Sequence, residues 1–239
     1  MRKLSWMILP VLMLCGVLSV AAQDTEKDAG KSDSTAKTDE KNDSAEANED
    51  GESEDTEAEE EALATATLDK KAPDFTLKNA NGTEVKLSDY KDKIVVLEWI
   101  NFDCPWCKMH YEDSDALVKM HKEMRDAGVI WLLVCSSAEG KQGNFDAETL
   151  KKRMDKVGVK ADFYLVDADG VVGKKYEAKT TPHCYVIDKS GKLRYRGALD
   201  NMRQRMKDKT LDEVNYVKQA VDAITDGKKL DNTDTKPYG

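Results

Sequence analysis

Cys104 and Cys107 stand three positions apart in the stretch NFDCPWCKMH, residues 101–110, with a proline and a tryptophan between them. Two thiols at that spacing suit three kinds of chemistry: making and breaking a disulfide, clamping a metal ion, or stapling a structure. The flanking sequence separates these. IVVLEWI, residues 94–100, is a near-continuous apolar run of the kind buried on both faces of a mostly parallel sheet. Pro105 then suits the first turn of a helix, where its missing N–H has no helical partner anyway. Cys104 therefore falls at a strand end and a helix start, where free N–H groups and the helix dipole favour a thiolate. Cys107, one turn in, can close a disulfide ring after Cys104 has attacked a substrate, which is the arrangement for thiol–disulfide exchange.

The other chemistries fit less well. A c-type haem site needs a histidine directly after Cys107, and Lys108 is there. A structural zinc site needs four ligands, and the remaining cysteines form no second pair. A structural disulfide across so short a loop gains little from loop closure. Trp106, between the thiols, is expected to cover the disulfide and sense its oxidation state.

The elements that must position this pair lie in the second part of the chain. The N-terminus carries Arg2 and Lys3, an apolar run from Leu4 to about Val20, and small residues at 19–22. That order reads as an export signal over 1–22. A retained anchor is the alternative, although Pro10 interrupts the run; lipidation at Cys15 is disfavoured by Leu14. From 23 to 66 follow 17 acidic and 4 basic residues, no aromatic and one large aliphatic, Leu63. Such a segment buries too little to offset the entropy of ordering, so it reads as an acidic disordered linker. The full chain carries −9, this linker −13 and the two leading basic residues +2, leaving residues 67–239 near +2. Charge thus gives no reason to invoke nucleic acid or an acidic membrane surface.

Residues 67–228 read as one α/β domain with a full core, and 229–239 as a polar tail. DFTL and TEVKL around NANG predict a hairpin. A long helix is predicted from Pro105 to Ala127, a strand at 129–135 and a helix at 146–157. A strand at DFYLV and a short helix at 170–176 follow, then a hairpin over 183–197 and a closing helix at 211–224. This order is that of a thioredoxin-like three-layer sandwich with an N-terminal β-hairpin extension.

Two stretches, APDFTLKNANGTEVKLSDYKDKIVVLEWINFDCPWC and TTPHCYVIDKSGKLRYRG, resemble the redoxin branch of the thioredoxin superfamily, with its alkyl hydroperoxide reductase and thiol-specific antioxidant relatives. The resemblance spans residues 72 to about 226. It implies that Pro182, after Thr181, is the superfamily's cis-proline, facing the cysteine pair and presenting backbone groups to a substrate. It also implies that Glu98, six residues before Cys104, is the buried acid. Desolvation of a carboxyl group in a strand interior favours its neutral form, which suits Glu98 to accept a proton from Cys107. Three positions depart from the pattern. Asp103 replaces the usual tryptophan and opposes thiolate formation unless it turns to solvent. Asn101 and Leu97 stand where peroxiredoxins carry Thr or Ser and Pro, which tilts the reading from peroxidase toward disulfide exchange. Copper chaperones of this fold add a distant histidine to a cysteine pair, so Cys104, Cys107 and His183 form an alternative Cu(I) set.

The remaining residues have plainer readings. His110 and His121 are read as packing or surface residues of the long helix. Cys135 and Cys184 are placed on strands flanking the central one, too far apart to bond, and act as small buried hydrophobes, with Cys184 a candidate third thiol.

The sequence therefore predicts an exported thiol–disulfide oxidoreductase, periplasmic or secreted, with Cys104, Cys107 and Glu98 as catalytic residues. Pro105, Trp106, Thr181 and Pro182 are expected to contact the substrate. A peroxiredoxin-like thiol peroxidase and a Cu(I) metallochaperone are the alternatives. No cofactor beyond the thiols is expected. The partners are a protein disulfide or dithiol substrate and a redox partner protein; the chain is expected to be a monomer, with membrane contact only through an uncleaved or lipidated N-terminus.

Overall fold

The structure, a computed structural model, describes residues 64–239. The expected export signal and all but the last three residues of the expected linker lie outside the described residues. In chain order the elements are β1 (Thr76–Asn79), β2 (Glu84–Lys86), β3 (Val95–Trp99), α1 (Pro105–Tyr111), α2 (Ala116–Asp126), β4 (Ile130–Cys135) and α3 (Ala147–Val157). They continue with β5 (Tyr164–Val166), α4 (Val171–Lys175), β6 (His183–Ile187), β7 (Leu193–Gly197), α5 (Met202–Lys207) and α6 (Tyr216–Thr225). The strands form one sheet in the order β2-β1-β5-β4-β3-β6-β7.

The apolar run at 94–100 becomes the central strand because both of its faces find partners. β3 runs parallel to β4 and antiparallel to β6, with Glu98 opposite Leu133 on one side and Cys184 on the other. Side chains alternate faces along a strand, and the core divides accordingly. Ile94, Val96 and Ile100 pack with Leu117 and Met124 of α2, Leu150 and Met154 of α3, and Val217 and Val221 of α6. Val95, Leu97 and Trp99 pack on the other face with Phe75, Leu87, Val172 and Tyr176. The result is a thioredoxin-like three-layer α/β sandwich, with the β1–β2 hairpin extending the sheet beyond β5.

Local signals fix both ends of α3 and the start of α6. Asp146 caps α3 by accepting the Thr149 N–H at 2.9 Å, and Gly158 closes it in the left-handed region at φ 71°. The structure corrects the sequence reading at four places. The helix predicted over 105–127 is two helices, broken at Glu112–Asp115. There the N–H groups of Glu112 and Asp113 both return to the Lys108 carbonyl, and Ser114 Oγ accepts the Ala116 N–H at 3.1 Å. Ser and Asp side chains compete for the backbone in this way and favour caps over helix interiors.

The closing helix begins at Tyr216 rather than 211, because Asn215 caps it through the Lys218 N–H at 2.8 Å. Residues 201 and 214 are tied instead, with Asn201 Oδ1 accepting the Val214 N–H at 3.0 Å. At the start of the domain, Ala66 is already buried and donates its N–H to Lys175 O at 2.9 Å.

The fourth correction concerns residues 229–239, read as a polar tail. β7 is the last strand of the sheet, and this segment covers its open edge. The Arg196 N–H bonds Thr233 O at 3.0 Å, the Thr235 N–H bonds Arg196 O at 3.1 Å, and Ala198 N donates to Thr235 Oγ1 at 2.9 Å. Leu230 and Tyr238 are buried.

Replacing the α6 cap is expected to act on stability alone. Asn215→Ala should cost about 1 kcal/mol, seen as a lower urea midpoint, with the alkylation rate of Cys104 unchanged.

Candidate active site

The chain leaves β3 in a turn built by Asn101. Its carbonyl accepts the Cys104 N–H at 2.9 Å, its Oδ1 accepts the Asp103 N–H at 2.8 Å, and its Nδ2 donates to Gln142 O at 3.2 Å. Gly143, at φ +91°, lies so close that a β-carbon there would stand 2.6 Å from Asn101 Cγ. Cys104 is then the N-cap of α1 in extended conformation, and Pro105 opens the helix.

Both thiols are free, and they differ in their ease of ionisation. The Cys107 thiol, hydrogen-bonded to Cys104, lowers the Cys104 thiol from its ordinary value to about 5. Partial burial opposes this shift, while the Thr181 side chain and the N–H groups of Cys107 and Trp106 add to it. The same contact with Cys104 pushes Cys107 well up, and burial and the charges of Cys104 and Glu98 add to the rise. One sulfur is a ready thiolate; the other keeps its proton. In the thiol form Cys104 Sγ donates to Thr181 O at 3.0 Å, and the Thr181–Pro182 peptide bond is cis. Asp103 does not turn to solvent. It is paired with Arg153 at 2.9 Å and Lys108 at 3.8 Å, which neutralises the charge beside the thiolate.

Glu98 lies beneath the dithiol at 0 % exposure. Its Oε2 accepts the Tyr111 hydroxyl and the Trp131 indole N–H, each at 2.9 Å. His121 Nε2 stands 3.4 Å from the same oxygen, within ion-pair range but not aligned as a hydrogen bond. Cys184, opposite Glu98 on β6, is fully buried, and burial followed by the Glu98 charge pushes its thiol well up. It is a core residue. Cys135 lies on β4, on the other side of β3 from Cys184, as expected.

On the outer side, Pro105 is exposed and Trp106 half-buried. The Trp106 ring meets Tyr238 edge-on, with centroids 5.1 Å apart. The Tyr238 hydroxyl bonds His110 Nε2 at 3.0 Å and Asp200 Oδ1. Gly239 sits against the backbone of Thr181, where a β-carbon would approach its carbonyl to 2.5 Å. The segment read as a tail thus forms one wall of the site.

The structure does not bring His183 to the thiols. His183 pairs with Trp99 in register, so its side chain shares the face of Trp99 and Tyr185, opposite to that of Glu98 and Cys107. Its Nδ1 accepts the Lys179 N–H at 3.3 Å and meets the Tyr185 hydroxyl at 3.0 Å. Burial, with Lys179 and Arg196 nearby, lowers it to about 4. Among the described residues no three His, Cys, Asp or Glu side chains are placed to hold a metal ion. Leu97 is buried on the His183 face, away from the thiols.

The site residues named from the sequence therefore gather at one place: Cys104, Pro105, Trp106, Cys107, Thr181 and Pro182, with Glu98 below. Sequence reasoning missed Tyr111, Trp131 and His121 around Glu98, Arg153 beside Asp103, and Tyr238. For Trp131 a signal existed, since its parity along β4 matches that of Glu98 along β3.

A dithiol with one lowered and one raised sulfur, at a strand-to-helix junction and facing a cis-proline in this sandwich, defines a thioredoxin-like redox protein. Residues 68–196 match the AhpC/TSA family, and the chain belongs to it. It is similar to the thioredoxin-like protein YneN of Bacillus subtilis, 33% identical over 117 residues that span 43% of this chain and 67% of that protein. The peroxiredoxin Bcp of the same organism is 28% identical over 134 residues, 47% of this chain and 85% of Bcp. The thiol-disulfide oxidoreductase ResA of Bacillus thuringiensis is 25% identical over 127 residues, 53% of this chain and 66% of ResA. Among solved structures, the hypothetical protein SMc02350 of Sinorhizobium meliloti superposes with a TM-score of 0.61 at 26% identity, over 73% of this chain and 93% of that one.

The thiol asymmetry gives a pH prediction. Iodoacetamide should alkylate Cys104 at a constant rate near neutral pH, and the rate should fall as pH drops through about 5, where the thiolate is protonated. Cys107→Ala removes the largest lowering contact, so the inflection should move to higher pH, as followed by mass spectrometry.

Proposed function

We propose that the protein is an exported thiol–disulfide oxidoreductase that works through a mixed disulfide. The observation that carries this reading is the pairing of a lowered Cys104 with a raised Cys107 beneath the Thr181 carbonyl. The Cys104 thiolate attacks one sulfur of a substrate disulfide, and the other leaves as a thiolate. Cys107 then gives its proton to Glu98 and attacks Cys104 Sγ, releasing the second substrate thiolate. Two electrons pass from the dithiol to the substrate, and a redox partner protein restores the thiols. Thr181 and Pro182 hold the substrate backbone, and Pro105 and Trp106 flank it.

Similarity to ResA, named a thiol-disulfide oxidoreductase, supports the reaction class. The charged, apolar and small-residue order of residues 1–22 supports export. Among the described residues no helix is long and apolar enough to cross a membrane. The Asn101 side chain, standing where peroxiredoxins carry a hydroxyl, bonds Asp103 and Gln142, which favours exchange over peroxide reduction.

The test mixes the reduced protein, in parallel, with hydrogen peroxide and with a model disulfide, following tryptophan fluorescence by stopped flow. Cys104→Ser and Trp106→Phe variants tie the signal to the site. Rapid disulfide exchange with peroxide oxidation at free-thiol speed is the expected result. Peroxide oxidation far above free-thiol speed would move the protein to the peroxidases.

A further inference from the structure

Resolution of the mixed disulfide releases a proton where solvent does not reach. Cys107 is 1 % exposed and Glu98 0 %. The two groups that bond Glu98 Oε2 hold it without carrying a proton away. The Trp131 indole is a donor only, and burial, with Glu98 beside it, pushes the Tyr111 hydroxyl well up. Two atoms are left over. Glu98 Oε1 and His121 Nε2 are buried and have no hydrogen-bond partner among the described residues. A buried polar atom left open is costly, so a pair of them beside the thiols calls for a reason.

His121 has a second side. Its ring packs against Trp131, with centroids 4.2 Å apart, and lines a cavity of ≈ 10 Å³ together with Val118, Arg125, Gly158 and Lys160. Gly158 and Lys160 are exposed, so the cavity lies between the buried imidazole and surface residues. Its size is close to the roughly 10–15 Å³ that one water needs.

We propose that His121 is the proton relay between Glu98 and solvent, a positioning and proton-transfer residue for the exchange reaction; this rests on the reading of the dithiol given above. In resolution the Cys107 S–H bond breaks and its proton goes to Glu98. Cys107 sulfur bonds Cys104 sulfur as the bond from Cys104 to the substrate breaks, and the electron pair leaves on the substrate thiolate. His121 Nε2 then takes the proton from Glu98, and Nδ1 gives one to water in the cavity. The relay requires Nε2 to start without a proton; it stands 3.4 Å from Glu98 Oε2. When the disulfide is reduced again, Cys107 recovers its proton along the same path in reverse, which restores the starting tautomer.

The electrostatic surroundings of the relay come from four elements. Glu98 faces Cys107 and Tyr111 of α1, Trp131 of β4 and Cys184 of β6. Arg125, one turn along α2, and Lys160 at the rim add positive charge on the solvent side.

The test uses the reduced full chain and 5,5′-dithiobis(2-nitrobenzoate), whose two nitrothiolates report the two steps separately. The first is released when Cys104 attacks, the second when Cys107 resolves. His121→Gln should leave the first phase unchanged and slow the second about 10²-fold near neutral pH, the scale of general acid–base assistance. In His121→Ala, added imidazole should restore the second phase. In the wild type, heavy water should slow the second phase and leave the first. A second phase at wild-type speed in both variants overturns the relay, as does equal slowing of both phases with no response to imidazole. If the wild type releases no first nitrothiolate, the exchange reading itself fails and the relay with it.

Discussion

A carboxyl group enclosed in the central strand is the constraint on which this site depends. Burying an ionisable group costs several kcal/mol unless its oxygens are bonded. Glu98 meets that cost at one oxygen, where Oε2 accepts from Tyr111 at the end of α1 and from Trp131 on β4, while His121 of α2 stands 3.4 Å away without a hydrogen bond. Each must be large, buried and correctly oriented, so the packing of α1 and α2 over the sheet is coupled to a single side chain. Tyr111 ends α1 and His121 lies on α2, so residues on either side of the helix break both border Glu98.

The strand's period of two carries the rest of the division. Residues of one parity put Glu98 beneath the thiols, and the opposite parity sends Trp99 to the other core. The neighbouring strand obeys the same rule, so Cys184 faces Glu98 while His183 faces away. A histidine adjacent in sequence to the cis-proline is thus separated from the cysteine pair by the thickness of the sheet. Position in sequence suggested a ligand; register decided otherwise.

What was legible in the sequence was what local pattern encodes. IVVLEWI announced a doubly buried strand, Pro105 a helix start, and the C-P-W-C spacing a dithiol; the β1–β2 and β6–β7 hairpins followed from their turn residues. Glu98, Thr181 and Pro182 came from resemblance and fall where it put them. What was not legible depends on contacts between distant segments. Asp103 alone reads as a charge hostile to a thiolate, and only the approach of Arg153, fifty residues on, reverses that. The partners of Glu98 share no motif with it. Asn101 lacks the hydroxyl that peroxiredoxins carry at its position, and its bonds to Asp103 and Cys104 turn the backbone instead.

Tyr238 shows why composition failed at the C-terminal segment. DNTDTKPYG has the polarity of a solvated tail, yet its main chain finds an open sheet edge, and edge pairing depends on backbone groups rather than on apolar side chains. Once Thr233 and Thr235 are tied to Arg196, the few residues that follow have little freedom. They carry Tyr238 onto Trp106 and His110, so α1 is held at its start by Asn101 and along its outer face by Tyr238. The same placement sets Gly239 against Thr181, beside the peptide that accepts from Cys104. Cys104 is nearly covered between these walls. A segment that closes the sheet edge thereby also shapes the approach to the thiol.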